Sequence, residues 1–170
     1  MPNTYTLIAS STATGGSVAN IEFTSIPATY TDLKVVFSAR GTVSGNNVDT
    51  KLTFNSNTSN YTLRNVYGDG STAASFSDST TNYTGGEIPG TSITASTFGS
   101  VEIYIPNYTS SNNKSFSTDV VVENNATTAF PWLHAGLWSN AAAITSVTLT
   151  PASGSFAQYS TARLYGIKNS

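Results

Sequence analysis

Apolar residues occupy every second position over several separate stretches of this chain. In the clearest case Leu33, Val35 and Phe37 are apolar, whereas Lys34 and Ser38 between them are polar. The same alternation runs through residues 48–55, 100–105, 116–123 and 143–150. Strict alternation is typical of a β-strand that has one face on a core and the other in water. No segment sustains a period of 3.6 residues, so the sequence predicts an all-β protein.

Clusters of turn-forming residues, such as Ser44-Gly45-Asn46-Asn47, separate about ten strand candidates, a spacing typical of a sandwich or a barrel. The chain has 170 residues, the usual size of one domain with a substantial core. We therefore predict a single domain over residues 1–170, folded as a two-sheet antiparallel sandwich. The apolar residues predicted to lie between the sheets are Ile21, Phe23, Leu33, Val35, Phe37, Leu52, Phe54, Val101, Ile103, Ile105, Val120, Val122, Val147 and Leu149.

Two segments depart from the alternation. Gly68–Thr97 is rich in Ser, Thr, Gly and Ala and has few apolar anchors, which predicts a long loop with a functional role. As a strand, Pro131–Ser139 would have two apolar faces, because Trp132 and Trp138 fall on one face and Leu133 falls on the other. A strand of this kind is expected to be covered on both sides, by a core and by either a loop or a neighbouring subunit.

The chain carries unusually little charge, which narrows its possible partners. Charged residues make up 9% of the chain, against roughly 25% in an average soluble domain. The net charge of -2 and the pI near 5.1 leave no basic surface for nucleic acid. No cysteine is present and no apolar run is long enough to span a membrane. The opening Met1-Pro2-Asn3-Thr4 lacks the features of a signal peptide, so we expect synthesis in a cytoplasm and no membrane association.

Few residues could support catalysis or bind a metal. The single histidine, His134, is interpreted as a hydrogen-bonded structural residue, with a catalytic or metal-binding role as the alternative. Asp69 lies between two glycines and is expected to form a turn, because a calcium loop needs several oxygen ligands. We therefore predict no enzyme, no catalytic residue, no metal and no cofactor. Tyrosines could stack on sugars, although core or interface packing is their commoner role; the candidates are Tyr104, Tyr108, Tyr159 and Tyr165.

Several longer stretches of this chain resemble small virion proteins of tailed bacteriophages. The similarity covers most of the sequence, but its motifs are structural and carry no catalytic signature. The stretches are Asn3–Ile8, Phe23–Pro27, Phe98–Tyr108, Ala135–Asn140, Ile144–Leu149 and Gln158–Ile167. The resemblance implies a jelly-roll-like virion component, often trimeric, and it brings no set of functional residues.

Two positions on a virion are compatible with this resemblance. The favoured one is a capsid decoration, or cement, protein that reinforces the shell through contacts with the major capsid protein or another virion protein. The alternative is a tail-fibre or receptor-binding head that recognises a host glycan or protein, and a glycan-processing enzyme is the least favoured. We expect a homotrimer and expect Met1–Ser11 and Gly68–Thr97 to grip the capsid. The candidate interface residues are Trp132, His134, Trp138, Tyr159 and Tyr165.

Overall fold

The computed structural model describes residues 4–79, 82–123 and 129–168. Within these ranges the chain forms strands, turns and irregular segments and contains no helix, and hence no helix that could cross a membrane. The strands are β1 (Tyr5–Thr12), β2 (Ile21–Phe23), β3 (Asp32–Ala39), β4 (Asn47–Phe54), β5 (Tyr61–Gly68), β6 (Ala73–Asp78), β7 (Glu87–Pro89), β8 (Gly99–Ile105), β9 (Lys114–Val122), β10 (Phe130–Trp138), β11 (Val147–Pro151) and β12 (Thr161–Ile167).

The strands form two antiparallel sheets of unequal width. The larger has eight strands in the order β1-β12-β3-β8-β9-β10-β5-β6, and the smaller has four in the order β2-β11-β4-β7. The chain enters the small sheet four times, contributes one strand each time and returns to the large sheet. The predicted two-sheet antiparallel sandwich is confirmed.

The alternation in sequence corresponds to the two faces of each strand. All of the residues predicted to lie between the sheets are buried, and most of them have no exposed surface. On β3, Leu33, Val35 and Phe37 point into this core, whereas Lys34 points outward and pairs with Glu102 of β8 at 2.5 Å. Burial of this apolar surface is the main source of stability in a domain of this type.

The segment predicted as one long loop, Gly68–Thr97, is interrupted by two short strands. It contains β6, which forms one edge of the large sheet, and β7, which joins the small sheet. We call residues 82–90 the strap, because this buried segment runs along β4 at the edge of the small sheet and packs against the inner face of the large sheet. Its polar composition concealed this position, since Thr84 and Glu87 are buried through polar contacts rather than through apolar side chains. The strap backbone follows β4, with the Thr50 N–H donating to the Gly86 carbonyl at 2.7 Å.

The strand with two apolar faces, β10, is covered on one side only. Its inner face, with His134 and Trp138, is buried against the core. Its outer face leaves Leu133 49% exposed and Ala135 exposed, and no described segment lies over it. The expectation that the long loop might cover this face is wrong, because the strap packs on the opposite side of the sheet. A neighbouring subunit or a ligand is left as the possible cover.

Candidate functional site

A buried histidine–carboxylate pair lies between the sheets. His134 Nε2 is 3.2 Å from Glu87 Oε2, and both side chains are almost completely excluded from solvent. In the large sheet His134 is flanked by Thr118 of β9 and Asn65 of β5. The Thr118 hydroxyl donates to the Thr84 carbonyl at 2.8 Å, which ties the strap to this row. Burial raises the pKa of the Glu87 carboxyl, and the neighbouring His134 opposes that shift.

This pair has the chemistry of an acid–base site but not the access of one. His134 has no exposed surface, so no substrate can reach its imidazole while the strap is in place. Several other buried polar atoms nearby have no hydrogen-bond partner, among them His134 Nδ1 and Asn65 Nδ2. Across the described ranges, no three His, Cys, Asp or Glu side chains are grouped closely enough to hold a metal ion. Asp69 forms a turn, accepting backbone hydrogen bonds from Ser71 and Thr72.

The five candidate interface residues separate into two groups. His134 and Trp138 are fully buried within the sandwich, so neither can contact a partner in this structure, and the expectation for these two is corrected. Trp132 is half-buried and packs against the core. Tyr165 is half-buried on the outer face of β12, and Tyr159 is strongly exposed in the turn before that strand. Parity along β10 placed Trp132, His134 and Trp138 on one face, but it could not say that this face was the inner one.

A shallow trough of about 550 Å³ crosses the outer face of the large sheet, from β8 to β5. Its floor is made of small residues on β9 and β10, Ser115, Ser117 and Ala135. Tyr104 of β8 stands on one side, with Ser117 and then Ala135 as its successive cross-strand neighbours. The opposite side is formed by Leu133 together with residues of β5. Small residues between larger ones create this depression in the face of the sheet.

A second hollow, of about 480 Å³, adjoins the trough and shares Pro106 and Ser115 with it. The hollow lies against the β8–β9 turn and is lined by amides and hydroxyls, without a charged side chain. These polar residues are Asn107, Ser110, Asn112, Asn113 and Ser115. The trough and the hollow lie side by side, and the trough is apolar whereas the hollow is polar but uncharged. We call the two together the outer groove.

Two buried charged residues hold the outer groove in shape. Asp32 accepts a hydrogen bond from the Tyr104 hydroxyl at 2.7 Å and another from the Asn107 N–H at 2.8 Å. The Asp32 hydrogen bond raises the pKa of Tyr104 to about 12, which keeps this hydroxyl protonated as the donor. At the other side, Lys114 Nζ donates to the carbonyls of Ser110 and Asn112, at 2.8 and 2.5 Å. Charge-assisted hydrogen bonds of this kind are the strong ones, and here they rigidify the β8–β9 turn.

The structural roles of Asp32 and Lys114 were not predicted from the sequence. A signal for Lys114 was present, because it shares parity with Phe116, Thr118 and Val120 and so had to point inward. An inward lysine at the first position of a strand indicates a cation that caps the preceding turn. No comparable signal exists for Asp32, since its partners lie more than 70 residues away in sequence.

The N-terminal strand β1 forms the other notable surface. It is one edge of the large sheet and pairs only with β12 among the described strands. It carries no charged residue, and Tyr5 and Leu7 are each 52% exposed. Its pairing is interrupted by a bulge between Leu7 and Ala9. The strand therefore offers unpaired backbone groups beside two large apolar side chains.

Comparison of the chain with protein-family models, with curated proteins and with solved structures gives no match. Inference about function therefore depends on the geometry of the chain itself.

Proposed function

We propose that this chain is a structural protein of a bacteriophage virion, and that it decorates the capsid by binding neighbouring shell subunits. The observation that carries this proposal is the open edge of β1. Edge strands present a row of free N–H and C=O groups to another chain, and proteins usually protect them with charge or proline. β1 has neither, and its one protective feature is the bulge near Leu7.

An edge of this kind suits addition of a strand from a neighbouring subunit. Backbone hydrogen bonds would supply affinity, and pockets for alternate side chains such as Tyr5 and Leu7 would supply specificity. The low overall charge supports dense packing, because copies placed side by side repel one another little. We also propose that the chain forms a homotrimer, which sedimentation of the purified protein would test. The first three residues of the proposed gripping segment Met1–Ser11 lie outside the described residues.

The capsid role predicts a specific phenotype for particles that lack the protein. Such particles should assemble and adsorb to cells, but release DNA sooner on heating or osmotic shock. Purified wild-type protein added back to them should restore resistance. Loss of adsorption with unchanged heat stability would instead contradict the capsid role.

A matched pair of variants tests whether β1 makes the contact. Leu7→Lys places a charge at the open edge, so it should bind depleted particles much more weakly than wild type does. Val121→Lys makes a comparable change on the same sheet face at the same exposure, four strands away and outside the outer groove, and should bind normally. Equal binding by both variants would show that β1 is not the contact.

The outer groove favours a second candidate function, a tail-fibre or receptor-binding head. A preformed depression held by buried charges is more elaborate than a capsid contact requires. Under this alternative, particles lacking the protein should be as robust as wild type and should fail to adsorb. The same deletion therefore distinguishes the two functions.

A further inference from the structure

We propose that the outer groove is a binding site for an uncharged oligosaccharide. This inference goes beyond the capsid role and does not depend on where the chain sits in a particle, because it concerns a surface about four strands away from β1. It rests on three features of the groove: an aromatic wall, an uncharged polar end and a rigid frame.

The apolar end fits one face of a sugar ring. A pyranose presents C–H groups on its faces and hydroxyls around its edge, so it pairs with an aromatic ring on one side and with polar groups on the other. Tyr104 is 37% exposed and stands beside Pro106 over a floor of small residues. The floor residues Ser117 and Ala135 leave room for a ring that lies flat on the sheet. Aromatic side chains with one apolar body and one polar end are well suited to such contacts.

The polar end fits the hydroxyls of a second sugar. Each asparagine offers both a donor and an acceptor, and each serine hydroxyl can act as either. Asn107, Asn112 and Asn113 therefore provide alternating donors and acceptors without charge. An anionic ligand would need cations here, and the one cation beside the groove's polar end, Lys114, is buried and already bound to two carbonyls.

The frame argues for a ligand site rather than for an incidental surface. Asp32 is 4% exposed and fixes both Tyr104 and the backbone of Asn107. Asn107 lies in the turn at a φ of 48°, a left-handed conformation that asparagine tolerates well. Orienting groups before the ligand arrives lowers the entropy lost on binding, which improves affinity.

The occupant is better matched by a sugar than by a peptide. An apolar peptide side chain could fill the trough between Tyr104 and Leu133, but it would leave the amides of the hollow without partners. An oligosaccharide satisfies both ends, because its rings alternate apolar faces with hydroxyl edges along one chain. The one charged side chain that lines the groove, Arg64, lies at the trough end and already donates to the Leu63 carbonyl.

The test uses the whole purified chain and an array of oligosaccharides. Half of the probes should be neutral hexose and N-acetylhexosamine oligomers, and half should carry uronic or sialic acid. We expect binding to at least one neutral probe, confirmed by NMR titration in which backbone amides of residues 104–117 shift. Binding to charged probes alone, or to no probe in either assay, would overturn the proposal. Shifts confined to residues outside the outer groove would do the same.

Variants locate the site. Tyr104→Ala should weaken binding of the neutral probe about tenfold, the loss expected for one aromatic contact. Tyr104→Phe keeps the ring and should retain most of the affinity, which separates stacking from the hydrogen bond to Asp32.

Asn112→Ala removes one exposed amide and should weaken binding without disturbing the fold. Tyr159→Ala removes an exposed tyrosine outside the groove and should change nothing. Loss of binding in Tyr159→Ala, or unchanged binding in both Tyr104→Ala and Asn112→Ala, would refute the proposed site.

Discussion

The buried position of the strap can be tested at a single glycine. Gly86 has a φ of +83°, and a Cβ placed there would lie 2.6 Å from Val120 Cγ2. It would also lie 3.1 Å from methyl carbons of Thr118 and Val101. Non-bonded carbon atoms separate by about 3.5–4.0 Å at their optimum, so this methyl has no space. The backbone cannot easily move away, because the Gly86 carbonyl accepts a hydrogen bond from Thr50 at 2.7 Å.

Gly86→Ala should therefore carry two separate costs. A left-handed backbone costs a residue with a side chain about 1–2 kcal/mol. Overpacking a well-packed core costs about 1–3 kcal/mol more. The expected total is about 2–5 kcal/mol, against a usual domain stability of about 5–15 kcal/mol. The variant should fold, with a clearly lower free energy of unfolding in a urea titration.

Gly70→Ala is the matched control. Gly70 has nearly the same φ, +87°, but its added Cβ would meet no atom within 4 Å. Both variants lose the same backbone freedom in the unfolded chain, so their difference isolates the packing cost. We expect Gly86→Ala to be the less stable of the two by about 1–3 kcal/mol. Equal stabilities would show that the strap does not pack against the large sheet, and the fold described above would be wrong in that region.

Two further predictions concern buried ionisable groups. Burial raises the pKa of Glu87 above its value in the unfolded chain, so its contribution to stability is full only below that unfolded pKa and is lost as the pH rises through the folded pKa. Glu87→Gln should flatten this fall in the free energy of unfolding. An unchanged slope would contradict the assignment. Lys114→Met removes the hydrogen bonds to the Ser110 and Asn112 carbonyls, and should speed amide hydrogen exchange across residues 106–113, with a global cost of about 1–3 kcal/mol. Unchanged exchange in this turn would show that Lys114 does not hold it.

The fold class and the core could be predicted from sequence because they depend on local periodicity. A strand exposes successive side chains to opposite faces, so the positions of Leu33, Val35 and Phe37 alone fix which of them share a face. Burial of apolar surface then selects the inner face wherever the other parity is polar. Every residue that this periodicity assigned to the core is buried. It failed at β10, where both parities are apolar and nothing local distinguishes the inside from the outside.

The rest depended on contacts between residues that are distant in sequence. The strap reads as a loop because Thr84 and Glu87 are polar, and only their partners on β9 and β10 explain their burial. The outer groove arises where Tyr104 and Ala135 become near neighbours across β8, β9 and β10, which depends on strand order. Strand order depends in turn on how loops close and how two whole sheets pack, and neither is encoded in the period of one strand. The sequence alone therefore determined that the chain is a β-sandwich with a given core, and the tertiary structure decided which surfaces are open to a partner.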